Sequence, residues 1–93
     1  MNNLLEQIEN TAVLLYQNKE TEGMDTVKQL IGQFQSMLQS MTQKQLEDGG
    51  KFALLMIKEL IENYEKQDML GMADCLMEKS VLFVQFMDQT GEQ

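Results

Sequence analysis

Apolar residues recur at helical spacing in four stretches of this chain, separated by polar or glycine-containing breaks. The first stretch, from about Leu4 to Gln17, sets Leu4, Leu5, Ile8, Ala12 and Leu15 on one stripe. Asn3 suits its start, because its side chain accepts an orphan backbone N–H while Glu6 reaches back from the first turn. Asn18 suits its end as a residue tolerant of left-handed backbone. The second stretch opens at a cap on Thr21 and carries Met24, Val27, Ile31, Phe34, Leu38 and Met41, a heptad seam. Leu30 and Met37 widen the seam, and Lys28, Gln29, Gln33, Gln35 and Gln39 form its wet side. A helix of about 20 residues is roughly 30 Å long, so the facing helices are expected to match that length.

Between Thr42 and Lys51 the run TQKQLEDGGK interrupts the pattern. Gly49 and Gly50 disfavour helix there, which predicts the longest connection, with Asp48 as the cap of the third helix. That helix, Phe52 to Tyr64, places Ala53, Met56, Ile57, Leu60, Ile61 and Tyr64 on one broad face and adds Phe52, Leu54 and Leu55, more than a simple surface helix needs. Lys66 and Gln67 form a tight turn, and Asp68 caps the fourth helix, Asp68 to Met87.

Short connections at 18–21 and 66–67 make each consecutive pair antiparallel, so the expected fold is all-α, an antiparallel up-down four-helix bundle built from two helical hairpins. A single domain spans 1–93, with hairpin one over about 3–42 and hairpin two over about 48–88. An offset of 48 aligns Tyr16, Gly23 and Met24 with Tyr64, Gly71 and Met72, which leaves open whether the hairpins arose by duplication or converged on similar turns. Gly23, Gly32, Gly71, Ala73 and Ser80 are read as small residues where helices approach closely.

Composition narrows the function classes. The chain of 93 residues has no His, Arg, Pro or Trp, and 15 acidic residues against 7 lysines give a net charge of -8. That sign repels phosphate backbones and anionic bilayers, so neither nucleic acid nor membrane is expected as a partner. No basic stretch leads into a continuous apolar one at the N-terminus, and a lone Cys75 with nine methionines suits a reducing compartment, so cytoplasmic residence is expected.

Candidate chemistry is sparse. Glu59, Glu62 and Glu65 share a helix face, but carboxylate metal sites in bundles pair Glu with a His three residues on and point inward, so these read as a solvated stripe. Asp25 and Asp74 suit the positive N-terminal ends of their helices, and Glu78–Lys79 and Glu62–Lys66 offer local ion pairs. Gly49–Gly50 lacks the strand and the Gly-Lys-Ser/Thr of a phosphate loop. Cys75, flanked by Asp74 and Glu78, has nothing nearby to activate it and reads as a buried small hydrophobe. No catalytic, cofactor or metal residue is assigned, and an enzyme is not expected.

The apolar surplus of the fourth helix is the main functional clue. Met69, Ala73, Leu76, Ser80, Phe83 and Met87 complete one seam, yet Met72, Leu82 and Phe86 form a second, and Val81 and Val84 broaden it further. A helix apolar over most of its circumference is either covered on both sides or binds something. Met72, Leu82 and Phe86, with Met37 and Met41 of the second helix, are therefore the candidate partner-binding residues, methionine suiting adaptable surfaces as well as cores.

Gln67-Asp68 and then Ala73-Asp74-Cys75-Leu76-Met77-Glu78, together with TAVLLYQNKETEGMDTVKQLI over 11–31, resemble small uncharacterised helical proteins of Gram-positive bacteria, some from flagellar gene clusters. In size, acidity and helical content the chain is similar to flagellar secretion chaperones. The resemblance implies a cytoplasmic export chaperone or adaptor that buries an apolar helix of a protein partner. The alternative is a structural homodimer whose fourth helix packs about a two-fold axis.

Overall fold

The computed structural model describes residues 3–90, all in helices or the short turns between them. The single domain expected over 1–93 includes residues 1–2 and 91–93, which lie outside those described. Helix α1 is Asn3–Tyr16 and α2 is Glu20–Gln39. Helix α3, 43–65, joins Gln43–Gln45, a π segment Leu46–Gly50 and Lys51–Glu65. Helix α4, 69–90, joins Met69–Cys75, a π segment Leu76–Ser80 and Val81–Thr90. Each helix packs against its neighbours in the chain, and α1 closes the ring against α4, giving the expected antiparallel four-helix bundle of two hairpins, 39 × 25 × 18 Å across.

The first hairpin turns as its residues dictate: Asn18 is left-handed at φ 60°, and Lys19 N–H donates to Leu14 O at 3.0 Å, closing the Schellman-type end of α1. The expected cap at Thr21 is corrected. The chain enters α2 at Lys19, whose side chain makes no capping bond, so Thr21 lies inside the first turn between Glu20 and Glu22. Those carboxylates suit the helix N-terminus instead. The buried line of α2 is Gly23, Val27, Leu30 and Phe34, with Met24, Ile31 and Leu38 only partly covered, so the core lies to the Leu30 side of the expected seam.

The break expected at 42–51 is not a loop. Thr42 Oγ1 accepts from Gln45 N–H, and Gln45 Oε1 accepts from Thr42 N–H at 2.9 Å, a reciprocal capping box that starts α3 nine residues before Phe52. Helix continues through Gly49 and Gly50, neither of which has positive φ. Asp48 is therefore not a cap; it pairs with Lys44 one turn earlier on the exposed surface. Gly49 serves packing, since a Cβ there would stand 2.8 Å from Phe86 Cε2 on α4.

In α4, Asp68 caps as expected, its Oδ1 accepting from Gly71 N–H at 2.9 Å. The two competing seams are then reconciled by the π segment, where Val81 N–H donates to Leu76 O, one residue further back than in an α-helix. Met72, Leu76, Ser80 and Val84, spaced by four, are all buried. In a straight α-helix each such step would rotate the side chain roughly 40° away from the core, and the wider turn takes up that drift. Gln45, Ala53 and Ile57 on α3 are likewise buried at multiples of four across its own π segment, with Gly49 between them against Phe86.

The core centres on the rings of Phe34 and Phe83, 5.9 Å apart and edge to face across α2 and α4. Buried polar groups are paired: Thr11 Oγ1–H donates back to Gln7 O at 2.7 Å, and Gln45 Nε2–H to Thr90 Oγ1 at 2.9 Å. Gly23 and Gly71 stand at close approaches, to Leu15 and to the Asp68–Asn63 corner respectively. Gly32 does not, with nothing within 4 Å of where its Cβ would be, so the close-packing role expected for it is withdrawn.

Candidate partner-binding surface

The five candidate residues do not form one face. Met72 is fully buried between α1 and the rest of the core, and Met41 is buried where α2 ends. Met37 is partly covered and packs against the core from α2. Phe86 is half-covered, its ring lying over Gly49 of α3. Leu82 alone is freely exposed, at 54%. The expectation of a groove between α2 and α4 containing Met72 and Met41 is thus corrected: the π segment turns Met72 into the same buried stripe as Leu76 and Ser80, leaving Leu82 on the outside.

What Leu82 joins lies on α3 instead. Phe86 over Gly49, the Cys75 Sγ–H to Met56 O contact at 3.7 Å, and the Lys79–Glu59 ion pair fix the antiparallel register of α3 and α4. That register brings Phe52 level with Leu82 and Phe86 along the outer seam between the two helices. Phe52 is an exposed aromatic residue, and Leu54 and Leu55 beside it are 58% and 55% exposed. Among the described residues, the exposed large apolar side chains are Val13 and Tyr16 on the first hairpin and Leu46, Phe52, Leu54, Leu55, Leu70, Met77 and Leu82 on the second. The apolar surplus belongs to hairpin two as a whole. Phe52, Leu54 and Leu55 were recognisable in the sequence as apolar residues off the Ala53–Met56–Ile57–Leu60 stripe.

Charge around the seam is partly internalised. Lys79 Nζ donates to Glu59 Oε1 across α3 and α4, in place of the local pair expected with Glu78, and this bond raises the lysine's pKa. Of the stripe Glu59, Glu62 and Glu65, expected to be solvated, Glu62 and Glu65 are exposed, whereas Glu59 is partly buried in its pair with Lys79. Asp74 does more than face a helix N-terminus: its Oδ1 accepts from Tyr16 Oη–H at 3.0 Å, tying α4 to α1 and raising the tyrosine's pKa. Cys75 is buried, and burial, reinforced by Glu59, pushes its thiol up to about 12, so it is protonated and unreactive at neutral pH.

A depression of about 370 Å³ opens at the end of the bundle between Ser40, Thr42, Gln45, Met87 and Thr90. The described α1 has 14 residues and α2 has 20, so the first helix does not match the second in length as expected. The walls of the depression carry hydroxyls, an amide and the exposed Lys44–Asp48 pair, with no convergent set of titratable groups. Among the described residues no group of three or more Cys, Asp or Glu is placed to hold a metal ion, and no helix is long and apolar enough to cross a membrane. No protein-family model matches the chain, nor does any curated protein or solved structure.

Proposed function

We propose that the chain is a non-enzymatic protein-binding module that buries an apolar helix of a partner protein along the outer seam of α3 and α4. The observation that carries this reading is the concentration of exposed large apolar side chains on hairpin two, Phe52 and Leu82 among them, with the half-covered Phe86 one turn from Leu82. Single exposed apolar residues are ordinary on a protein surface, whereas a run of them on adjacent helices is costly to leave wet. The occupant is an amphipathic helix with lysine or arginine beside its apolar stripe, because a bundle of net charge -8 attracts a cationic rim. A cytoplasmic export chaperone or adaptor, the role the resemblance implies, is the specific form we favour: it needs no catalytic group, only a rigid bundle that shields an apolar segment.

Charge and apolar contact are separable by one substitution. Leu82→Asp adds a negative charge, which strengthens any purely electrostatic attraction, while removing an apolar contact. Fluorescence anisotropy with a labelled Leu/Lys amphipathic helical peptide is expected to show at least roughly tenfold weaker binding to Leu82→Asp than to wild type. Equal or tighter binding to the variant, or equal binding of a Leu/Glu peptide to wild type, would overturn the proposal.

A further inference from the structure

The seam between α1 and α4, on the edge of α4 away from α3, holds a second group of exposed apolar side chains. Tyr16 Oη–H donates to Asp74 Oδ1 at 3.0 Å, which fixes the antiparallel register of the two helices. Val13 lies one turn before Tyr16 and Met77 one turn after Asp74, so that register brings Val13 level with Met77. Leu70 stands one turn before Asp74 on the same edge. Val13 and Tyr16 are each 49% exposed, Met77 40% and Leu70 61%. From Leu70 to Met77 the group runs roughly 10 Å along α4, the length of two helical turns. The charge around it has one sign. Helix α1 carries Glu6 and Glu9 and no lysine, and α4 adds Asp74 and Glu78 on either side of Met77. The pKa of Tyr16 is raised first by its bond to Asp74 and also by Glu78, so both carboxylates stand near the phenol. Lys79 is turned toward α3 by its pair with Glu59, and Lys19, in the turn beyond Tyr16, shares a shallow depression with Glu20 and Glu22.

We infer that the α1–α4 seam is a second docking surface, for an amphipathic helix of another protein whose apolar stripe is flanked by arginine or lysine. Two turns of such a helix cover Val13, Leu70 and Met77, and its cations meet Glu9, Asp74 and Glu78. The Tyr16 ring, held in place by Asp74, adds aromatic surface suited to a guanidinium. A second copy of the chain is a poor occupant, because the seam laid against itself about a two-fold axis sets carboxylates against carboxylates and supplies no cation to offset them. An acidic helix is opposed by the same sign. The surface shares no residue with Phe52, Leu82 and Phe86, so it stands independently of the α3–α4 seam.

Titration of a Leu/Lys amphipathic helical peptide into isotope-labelled protein, with backbone amide shifts followed by NMR, tests the surface. In wild type the amides of Val13, Tyr16, Leu70 and Met77 are expected to shift together and saturate. Leu70→Asp removes an apolar contact and adds a charge of the attracting sign, and its carboxylate suits the first turn of α4, so the melting temperature is expected to hold. The variant is expected to weaken this group's titration at least roughly tenfold, and Val13→Asp on the other helix to do the same. Glu9→Lys with Glu78→Lys is expected to weaken it comparably, through charge alone. Leu82→Asp is expected to leave its midpoint unchanged. Absence of these shifts in wild type, an unchanged midpoint in Leu70→Asp and Val13→Asp, a midpoint that moves with Leu82→Asp, or equal shifts with a Leu/Glu peptide would overturn the inference. So would shifts at the same amides on raising the protein concentration alone, the mark of a second copy. Amides at the α3–α4 seam are read in the same spectra as a separate group, so failure of one surface is distinguished from failure of the other.

Discussion

The glycines of this chain divide by what surrounds them, and their substitution should divide likewise. Gly32 has open space where a Cβ would go, so Gly32→Ala is expected to stabilise the fold by about 0.5–1 kcal/mol in urea unfolding, the ordinary helix-propensity gain. Gly23 faces Leu15, which is itself fully buried and cannot swing away, so Gly23→Ala should destabilise by roughly 1–3 kcal/mol. Equal effects at the two positions would refute this account of the packing. Cys75 illustrates burial of a different kind. With its thiol raised to about 12, alkylation by iodoacetamide at pH 8 should proceed only as fast as the protein opens, and reaction at the rate of a free thiol would show that the site is accessible.

At the scale of elements, the two hairpin turns prove to be the same device. Asn18 and Gln67 are both left-handed, at φ 60° and 56°. Lys19 N–H to Leu14 O is matched by Asp68 N–H to Asn63 O, and Gly23 N–H to Lys19 O by Met72 N–H to Asp68 O. Each pair is related by an offset of 49, not the 48 that aligns Tyr16, Gly23 and Met24 with Tyr64, Gly71 and Met72. Those sequence identities are therefore not structurally equivalent, and the likeness of the hairpins rests on turn geometry. A left-handed glutamine is strained where glycine would not be, so Gln67→Gly is expected to raise stability by about 1 kcal/mol, measured by thermal or urea denaturation. The same change at Asn18 should give less, because asparagine already tolerates that region. Thr42→Ala, which removes the capping box, should cost about 1 kcal/mol and shorten α3 from its N-terminus.

For the molecule as a whole, alkaline pH should be the destabilising direction among the groups whose pKa is displaced. The folded protein holds the Cys75 proton to about 12, while the unfolded chain releases it in the ordinary thiol range, so between those values the unfolded state binds fewer protons and stability falls as pH rises. Lys79 acts in the same sense. Its pKa is raised by Glu59, so its contribution is complete below the ordinary lysine value and disappears as pH climbs through the raised one. Thermal melts from pH 8 to 11 should show a declining midpoint, with a flatter decline in Cys75→Ala. A midpoint that rises over this interval would contradict both assignments.

The number of helices, their antiparallel order, the left-handed Asn18 and the Asp68 cap were determined by sequence alone, because periodicity, turn residues and caps act over a few residues. Thr42 and Gln45 carried an equally local signal for an early start to α3, masked by Gly49 and Gly50 just downstream. Continuity through Gly49 depends on the Phe86 ring of another helix, and glycine has no preference that reveals such a neighbour. Burial obeyed the same rule. Leu30 rather than Ile31 lies in the core, Met72 is inside and Leu82 outside, because a helix's rotation is set by what packs against it and by a π turn that shifts its phase. The sequence determined that hairpin two holds more apolar side chains than one core face can absorb. Only the tertiary structure decided which are left over, since exposure depends on all the surrounding helices and not on any residue's own character.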